Sequence, residues 1–120
     1  MKTIGIILGV CLVLYIGYRT YRFLNLDKGL GKKIEQGAVI LDVRTPSEYK
    51  TGHIEGSVNL QLSRLHADKL PLDKDKTYIT VCSHGLRSVK AMNLLKEKGY
   101  KVFNGGALAD LESEIKQTEK

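Results

Sequence analysis

The sequence predicts an α/β domain built on a mainly parallel sheet flanked by helices, preceded by one transmembrane helix. Three observations predict it. Residues 3–18 (TIGIILGVCLVLYIGY) carry no charge, whereas almost every later window does. Beyond residue 37, short apolar runs alternate with stretches of helical spacing, the pattern of strand–helix–strand units. The run AVILDV at 38–43 is nearly continuously apolar, the mark of a strand buried on both faces. A chain of 120 residues has room for one domain and one appendage. The expected division is an anchor at 1–24, a linker at 25–33 and a folded domain at 34–120.

The 16 uncharged residues at 3–18 span about 24 Å as a helix, short of a hydrocarbon core of about 30 Å. The shortfall closes if Tyr18, Tyr21, Phe23 and Leu24 continue the helix, with Arg19 and Arg22 snorkelling to the headgroups. Tyr15, Tyr18 and Tyr21 then form an interfacial belt. A cleaved signal peptide wants small residues after its apolar run, and here bulky Tyr and Arg follow, so an uncleaved anchor is expected. Lys2 precedes the span, while Arg19, Arg22, Lys28, Lys32 and Lys33 follow it, so the positive-inside rule puts the domain on the cytoplasmic side.

The net charge of +6 divides accordingly. Lys2, Arg19 and Arg22 flank the apolar run, and the remainder has 16 Lys+Arg against 13 Asp+Glu. No basic stripe with interleaved aromatics is present, which argues against nucleic acid as a partner. The two cysteines, Cys11 in the apolar run and Cys82 in the folded part, are not placed to bridge, so Cys82 is expected as a free thiol.

The linker runs into a short helix at 32–36. After the strand at 38–43, Thr45-Pro46-Ser47-Glu48 starts a helix: Thr45 as N-cap, Pro46 in the first turn, Glu48 completing a capping box. Gly52 to Gly56 (GHIEG) reads as a turn before a short strand at 57–60. Ser63 is expected to cap a helix running to Lys69 and ended by Pro71. Residues 78–81 (YITV) read as a second buried strand. A helix at 88–98 carries Val89, Met92 and Leu95 on one face and stops at Gly99. A third strand is expected at 101–103, a turn at Gly105-Gly106, and a last helix at 107–117.

Cys82 falls at the carboxyl end of a strand and just before a helix, where open α/β sheets place their sites. The intervening Ser83-His84-Gly85-Leu86 is short, and Gly85 allows a positive φ. Such a loop can turn its N–H groups inward as an anion-binding nest. Those N–H groups, the positive end of the helix dipole and the Arg87 guanidinium would all favour a reactive thiolate and hold a persulfide anion or an oxyanion. The bland alternative is a buried, inert cysteine at a strand end.

The loop CSHGLRS resembles the CxxGxRS active-site loop of the rhodanese family. LDVRTPSEYKTGHIEGSVNL resembles that family's first signature, and LLKEKGY with FNGG resembles its downstream elements; together they cover about residues 34–109. The compact length and the GGALADL ending resemble the exported phage-shock type of single-domain rhodanese, which would place the domain on the other side of the membrane. The resemblance implies a sulfurtransferase in which Cys82 attacks a small sulfur donor, thiosulfate or a persulfide, and hands the sulfur to cyanide or a thiol. Backbone N–H groups from Ser83, His84, Gly85, Leu86, Arg87 and Ser88 would stabilise the persulfide. Arg87 would orient the donor or form a surface salt bridge. Ser88 would give its hydroxyl to the sulfur or cap the helix. His84 is by default an exposed imidazole, with proton transfer as the alternative role. In the family's fold Asp42 and Arg44 lie beside the loop, Asp42 fixing geometry and Arg44 adding positive potential at the mouth. His53 is expected to hold the Gly-His-Ile turn. The family's common tryptophan after the glycine turn is missing, since the chain has no Trp.

No cofactor is expected, because no P-loop or dinucleotide fingerprint occurs. No metal is expected either, since His53, His66 and His84 lack ligand spacing. Two rival functions remain. Phosphatases and arsenate reductases of related fold have five residues between cysteine and arginine; here four separate Cys82 from Arg87, a tighter ring suited to sulfur. A non-catalytic docking module at the membrane would not need both Cys82 and Arg87.

Overall fold

A computed structural model describes residues 1–25 and 28–119. Helix α1 (Lys2–Asn25) is followed by α2 (Leu30–Glu35), β1 (Val39–Asp42), α3 (Pro46–Thr51), β2 (Val58–Asn59), a 3-10 turn (Leu62–His66), β3 (Thr77–Cys82), α4 (Leu86–Glu97), β4 (Lys101–Ala107) and α5 (Leu108–Glu119). α1 continues through residues 23 and 24 as expected, and residues 30–33 of the expected linker belong to α2; residues 26 and 27 of that linker, and the Arg22 side chain expected to snorkel, lie outside the described residues.

All four strands run parallel in the order β2-β1-β3-β4. Parallel strands need both faces covered, and side-chain alternation supplies two cores. Leu41, Val43, Tyr78, Cys82 and Val102 pack with Leu65 of the 3-10 turn and with Ala91, Met92 and Leu95 of α4. Ile40, Ile79 and Val81 pack with Leu30 of α2 and Leu111 of α5. Leu41, Ile79, Leu95 and Leu111 are sealed from solvent, each such side chain contributing roughly 1.5–3 kcal/mol of transfer free energy. The N-terminus of α2 is closed from a distance: Glu114 Oε1 accepts the N–H of Leu30 at 2.8 Å and of Gly31 at 3.3 Å.

Two expectations are corrected. Ser63 caps no helix; the segment is a 3-10 turn that starts at Leu62 and has no side-chain cap. The sheet decides this, because the N–H groups of Leu60 and Leu62 are taken by the carbonyls of Asp42 and Val43, so Ser63 already lies inside the turn. Gly105-Gly106 is not a turn after a short strand. β4 continues to Ala107 through a bulge, with Thr80 opposite Asn104 and Val81 opposite Gly106, leaving Gly105 unpaired. A Cβ at Gly105 would come within 2.8 Å of Ile79 Cγ2 and of the Thr80 carbonyl oxygen, so only glycine fits.

Helix α1 is long and apolar enough to cross a membrane. Its span at residues 2–21 has a mean hydropathy of 1.7 and is not buried against the rest of the protein. Tyr18 alone in that span is half-buried. Its hydroxyl donates to the carbonyl oxygen of His84 at 3.2 Å.

Candidate active site

The carboxyl ends of β1 and β3 lie side by side, Asp42 opposite Val81 in the register. Cys82 is the last residue of β3 and is 1% exposed. The loop after it turns at Gly85, whose φ of 89° lies in the left-handed region and which occupies the N-cap of α4. That turn aims two backbone donors at the sulfur. The N–H of Gly85 reaches Cys82 Sγ at 3.0 Å and that of Ser88 at 3.4 Å. The Ser88 hydroxyl donates instead to the Gly85 carbonyl at 3.0 Å. Its hydroxyl takes neither expected role, since it points away from the sulfur and α4 has Gly85 as N-cap with no side-chain cap; only the Ser88 N–H reaches the sulfur.

A carboxylate that local sequence reasoning assigned to helix capping turns out to reach the Cys82 loop. The capping box of α3 forms as expected, with Glu48 N–H on Thr45 Oγ1 and Thr45 N–H on Glu48 Oε1. The same carboxylate then receives Arg87 in a fork: Nη1 to Oε1 at 2.8 Å and Nη2 to Oε2 at 2.9 Å. Ser83 Oγ also donates to Oε2 at 2.9 Å. The Arg87 guanidinium beside Glu48 holds its carboxyl well below the usual carboxylate range, against an opposing effect of burial and with help from Ser83 and Thr45. Arg87 is in turn held more firmly protonated by Glu48. Both partners are about a third exposed, so the pair sits at the surface of the loop. No local spacing signals this contact, because Glu48 and Arg87 are 39 residues apart.

Asp42 and Arg44 form a second pair, this one buried. Arg44 Nε reaches Asp42 Oδ1 and Oδ2 at 2.9 and 3.0 Å, and Nη2 reaches Oδ2 at 2.7 Å. Nη2 also donates to the Gly52 carbonyl at 2.6 Å, which ties the end of α3 to the strand. Asp42 thus fixes backbone geometry, taking the Arg44 N–H as well. Arg44 is spent on Asp42 and Gly52, so its expected positive potential at the mouth is neutralised. Asn59, not singled out in the sequence, donates to the carbonyls of Asp42 and Arg44 at 3.0 Å and closes this corner.

His53 stacks on Tyr49 at 3.7 Å between ring centroids, and its Nδ1 meets the Tyr49 carbonyl at 2.7 Å. This holds the Gly-His-Ile turn from within. His84 is exposed on the loop, its carbonyl taken by Tyr18, and Leu86 beside it is also exposed. Cys82 and Cys11 are both free thiols. Chemically, the arrangement offers one sulfur with convergent N–H donors, able to stabilise negative charge on that sulfur or on an atom bonded to it.

A family model for the rhodanese-like domain matches residues 26–109. The tRNA sulfurtransferase of Thermoplasma acidophilum is 31% identical over 113 residues, which is 88% of this chain and 22% of that protein. The chain therefore spans about a fifth of that relative. The thiosulfate sulfurtransferase PspE of Escherichia coli is 36% identical over 75 residues, 59% of this chain and 71% of that protein. A solved structure, a rhodanese with anions from E. coli, superposes with a TM-score of 0.54 at 35% identity, covering 62% of this chain and 91% of that one.

Proposed function

The chain belongs to the rhodanese-like domain family, and on that premise we propose that it is a membrane-anchored sulfurtransferase carrying sulfane sulfur on Cys82. The observation that carries the reading is the convergence of the Gly85 and Ser88 N–H groups on Cys82 Sγ. In the first half-reaction the Cys82 thiolate attacks the outer sulfur of thiosulfate or of a persulfide. The new S–S bond forms as the old one breaks, and sulfite or a thiolate leaves with the electron pair. The enzyme is left with a Cys82 persulfide anion, whose charge the two N–H donors stabilise. In the second half-reaction a thiolate or cyanide attacks the outer sulfur and Cys82 departs as thiolate. Two half-reactions through a covalent intermediate give ping-pong kinetics.

The anchor is part of the proposal. α1 crosses the bilayer and is not removed, and the Tyr18–His84 contact holds the Cys82 loop near the headgroups. The basic residues after the span favour a cytoplasmic domain. A reporter fused after Lys120 that is active only outside the cytoplasm would reverse that orientation. The size of the intact chain recovered from membranes decides between anchor and cleaved leader.

The enzymatic reading is tested on the full chain in detergent, comparing wild type with Cys82→Ser for transfer of sulfur from thiosulfate, or from an organic persulfide, to cyanide. Wild-type turnover with Cys82→Ser at background supports it. Equal rates with every donor would leave the docking module as the better account.

A further inference from the structure

Both arginines near Cys82 are already neutralised. Arg44 is buried against Asp42, and Arg87 is gripped in a fork by Glu48, whose second oxygen also takes the Ser83 hydroxyl. A dianionic donor arriving at the loop therefore meets an ion pair where an unpaired guanidinium would otherwise attract it. To use Arg87 it must displace a carboxylate held by five hydrogen-bond donors: two from Arg87, one from Ser83, and the N–H and hydroxyl of Thr45. The charge on Glu48 is also persistent. Its carboxyl is held well below the usual range, chiefly by Arg87, so it is ionised throughout the pH range in which Cys82 would work. What remains for the donor is the pair of N–H groups aimed at the sulfur, which suits a single negative charge centred on sulfur.

We propose that Glu48 is a specificity-determining residue that occupies Arg87 and biases the site toward singly charged persulfide donors over the thiosulfate dianion. The inference rests on the sulfurtransferase reading and narrows its donor class. Glu48 acts through Arg87 and touches no reacting atom, so it is a positioning residue. The Coulomb argument is direct: a carboxylate at the mouth repels two charges on thiosulfate and one on a persulfide or thiosulfonate.

The test pairs two donors that differ in charge but share the chemistry. Thiosulfate carries two negative charges and releases sulfite; benzenethiosulfonate carries one and releases benzenesulfinate. In each case the outer sulfur moves to Cys82 and the leaving group takes the electron pair. Wild type and Glu48→Gln are compared as full chains in detergent. The amide oxygen can stand in for Oε1 toward Thr45 while its NH2 donates to Ser83 Oγ, and the charge and the fork that hold Arg87 are lost. The expected result is a rise of about tenfold in kcat/KM for thiosulfate relative to benzenethiosulfonate, in KM more than in kcat. The rise should shrink at high ionic strength. Glu48→Ala is the second variant, should Glu48→Gln not fold. Alanine removes the carboxylate outright while Arg87 keeps its charge, so the ratio should move in the same direction, severalfold. An unchanged or lowered ratio in the folded variant overturns the role of Glu48 while leaving the sulfurtransferase intact. Failure of wild-type Cys82 to take sulfur from either donor overturns the reading of the site, and the inference with it.

Discussion

Two neighbouring strands end at the same edge of the sheet and are finished in opposite ways. At the end of β1, Asp42 and Arg44 satisfy one another and the adjoining backbone, and Asn59 closes the corner with two further bonds. At the end of β3, two N–H groups converge on the sulfur of Cys82. The first corner holds charge that is already matched; the second aims two donors at a neutral or anionic sulfur alone. The rigidity of one strand end positions the other. Arg44 ties β1 to the end of α3, and α3 carries Glu48 to Arg87 and Ser83 of the Cys82 loop.

The sharpest way to break this relation is to unpair the buried corner. Asp42→Asn leaves the Arg44 guanidinium buried without a counter-charge, and chemical denaturation should show a loss of about 3–5 kcal/mol. A loss below about 1 kcal/mol would mean the corner does not anchor the sheet edge. Next comes the bulge beside β3. Gly105→Ala drives a methyl group into Ile79 and the Thr80 carbonyl and should cost about 1–3 kcal/mol, read in the same way. Thr45→Ala removes the cap that orients Glu48 and should cost about 1 kcal/mol.

The smallest effect is expected from pH. Because the folded state depresses the Glu48 carboxyl, its contribution is fully present above the unfolded value of about 4.3. It fades as pH falls from there toward the lowered folded value. Wild type should therefore lose slightly more stability than Glu48→Gln between pH 6 and pH 3 (within about 1 kcal/mol for so exposed a pair) in parallel denaturation curves. Matching acid slopes would show that the pair is not maintained in solution.

What was legible in the sequence was what neighbours in the chain decide. The Thr45–Glu48 capping box, the buried strand at 39–42 and the Gly85 turn each follow from a few consecutive residues, and each appears where expected. The bulge at Gly105 was not legible, because a Gly-Gly pair signals a turn unless the side chains of the adjacent strand are known to crowd it. The grip of Glu48 on Arg87 was hidden for a related reason. The capping box already accounted for Glu48, and its second task depends on how α3 lies against the loop. Ser88 could serve the sulfur or cap the helix on sequence alone; the direction of its hydroxyl is settled by the Gly85 carbonyl, one turn back.

Cys82 at the end of β3 is the proposed sulfur carrier, and a sulfur bound to it can be weighed. The full chain, exposed to an organic persulfide and then to thiosulfate, is freed of excess donor and analysed intact and as peptides by mass spectrometry. The account predicts an addition of about 32 Da that a reductant removes, located on the peptide containing Cys82 and absent from Cys82→Ser. An unmodified Cys82 peptide after both donors, or the same addition in Cys82→Ser, would contradict it.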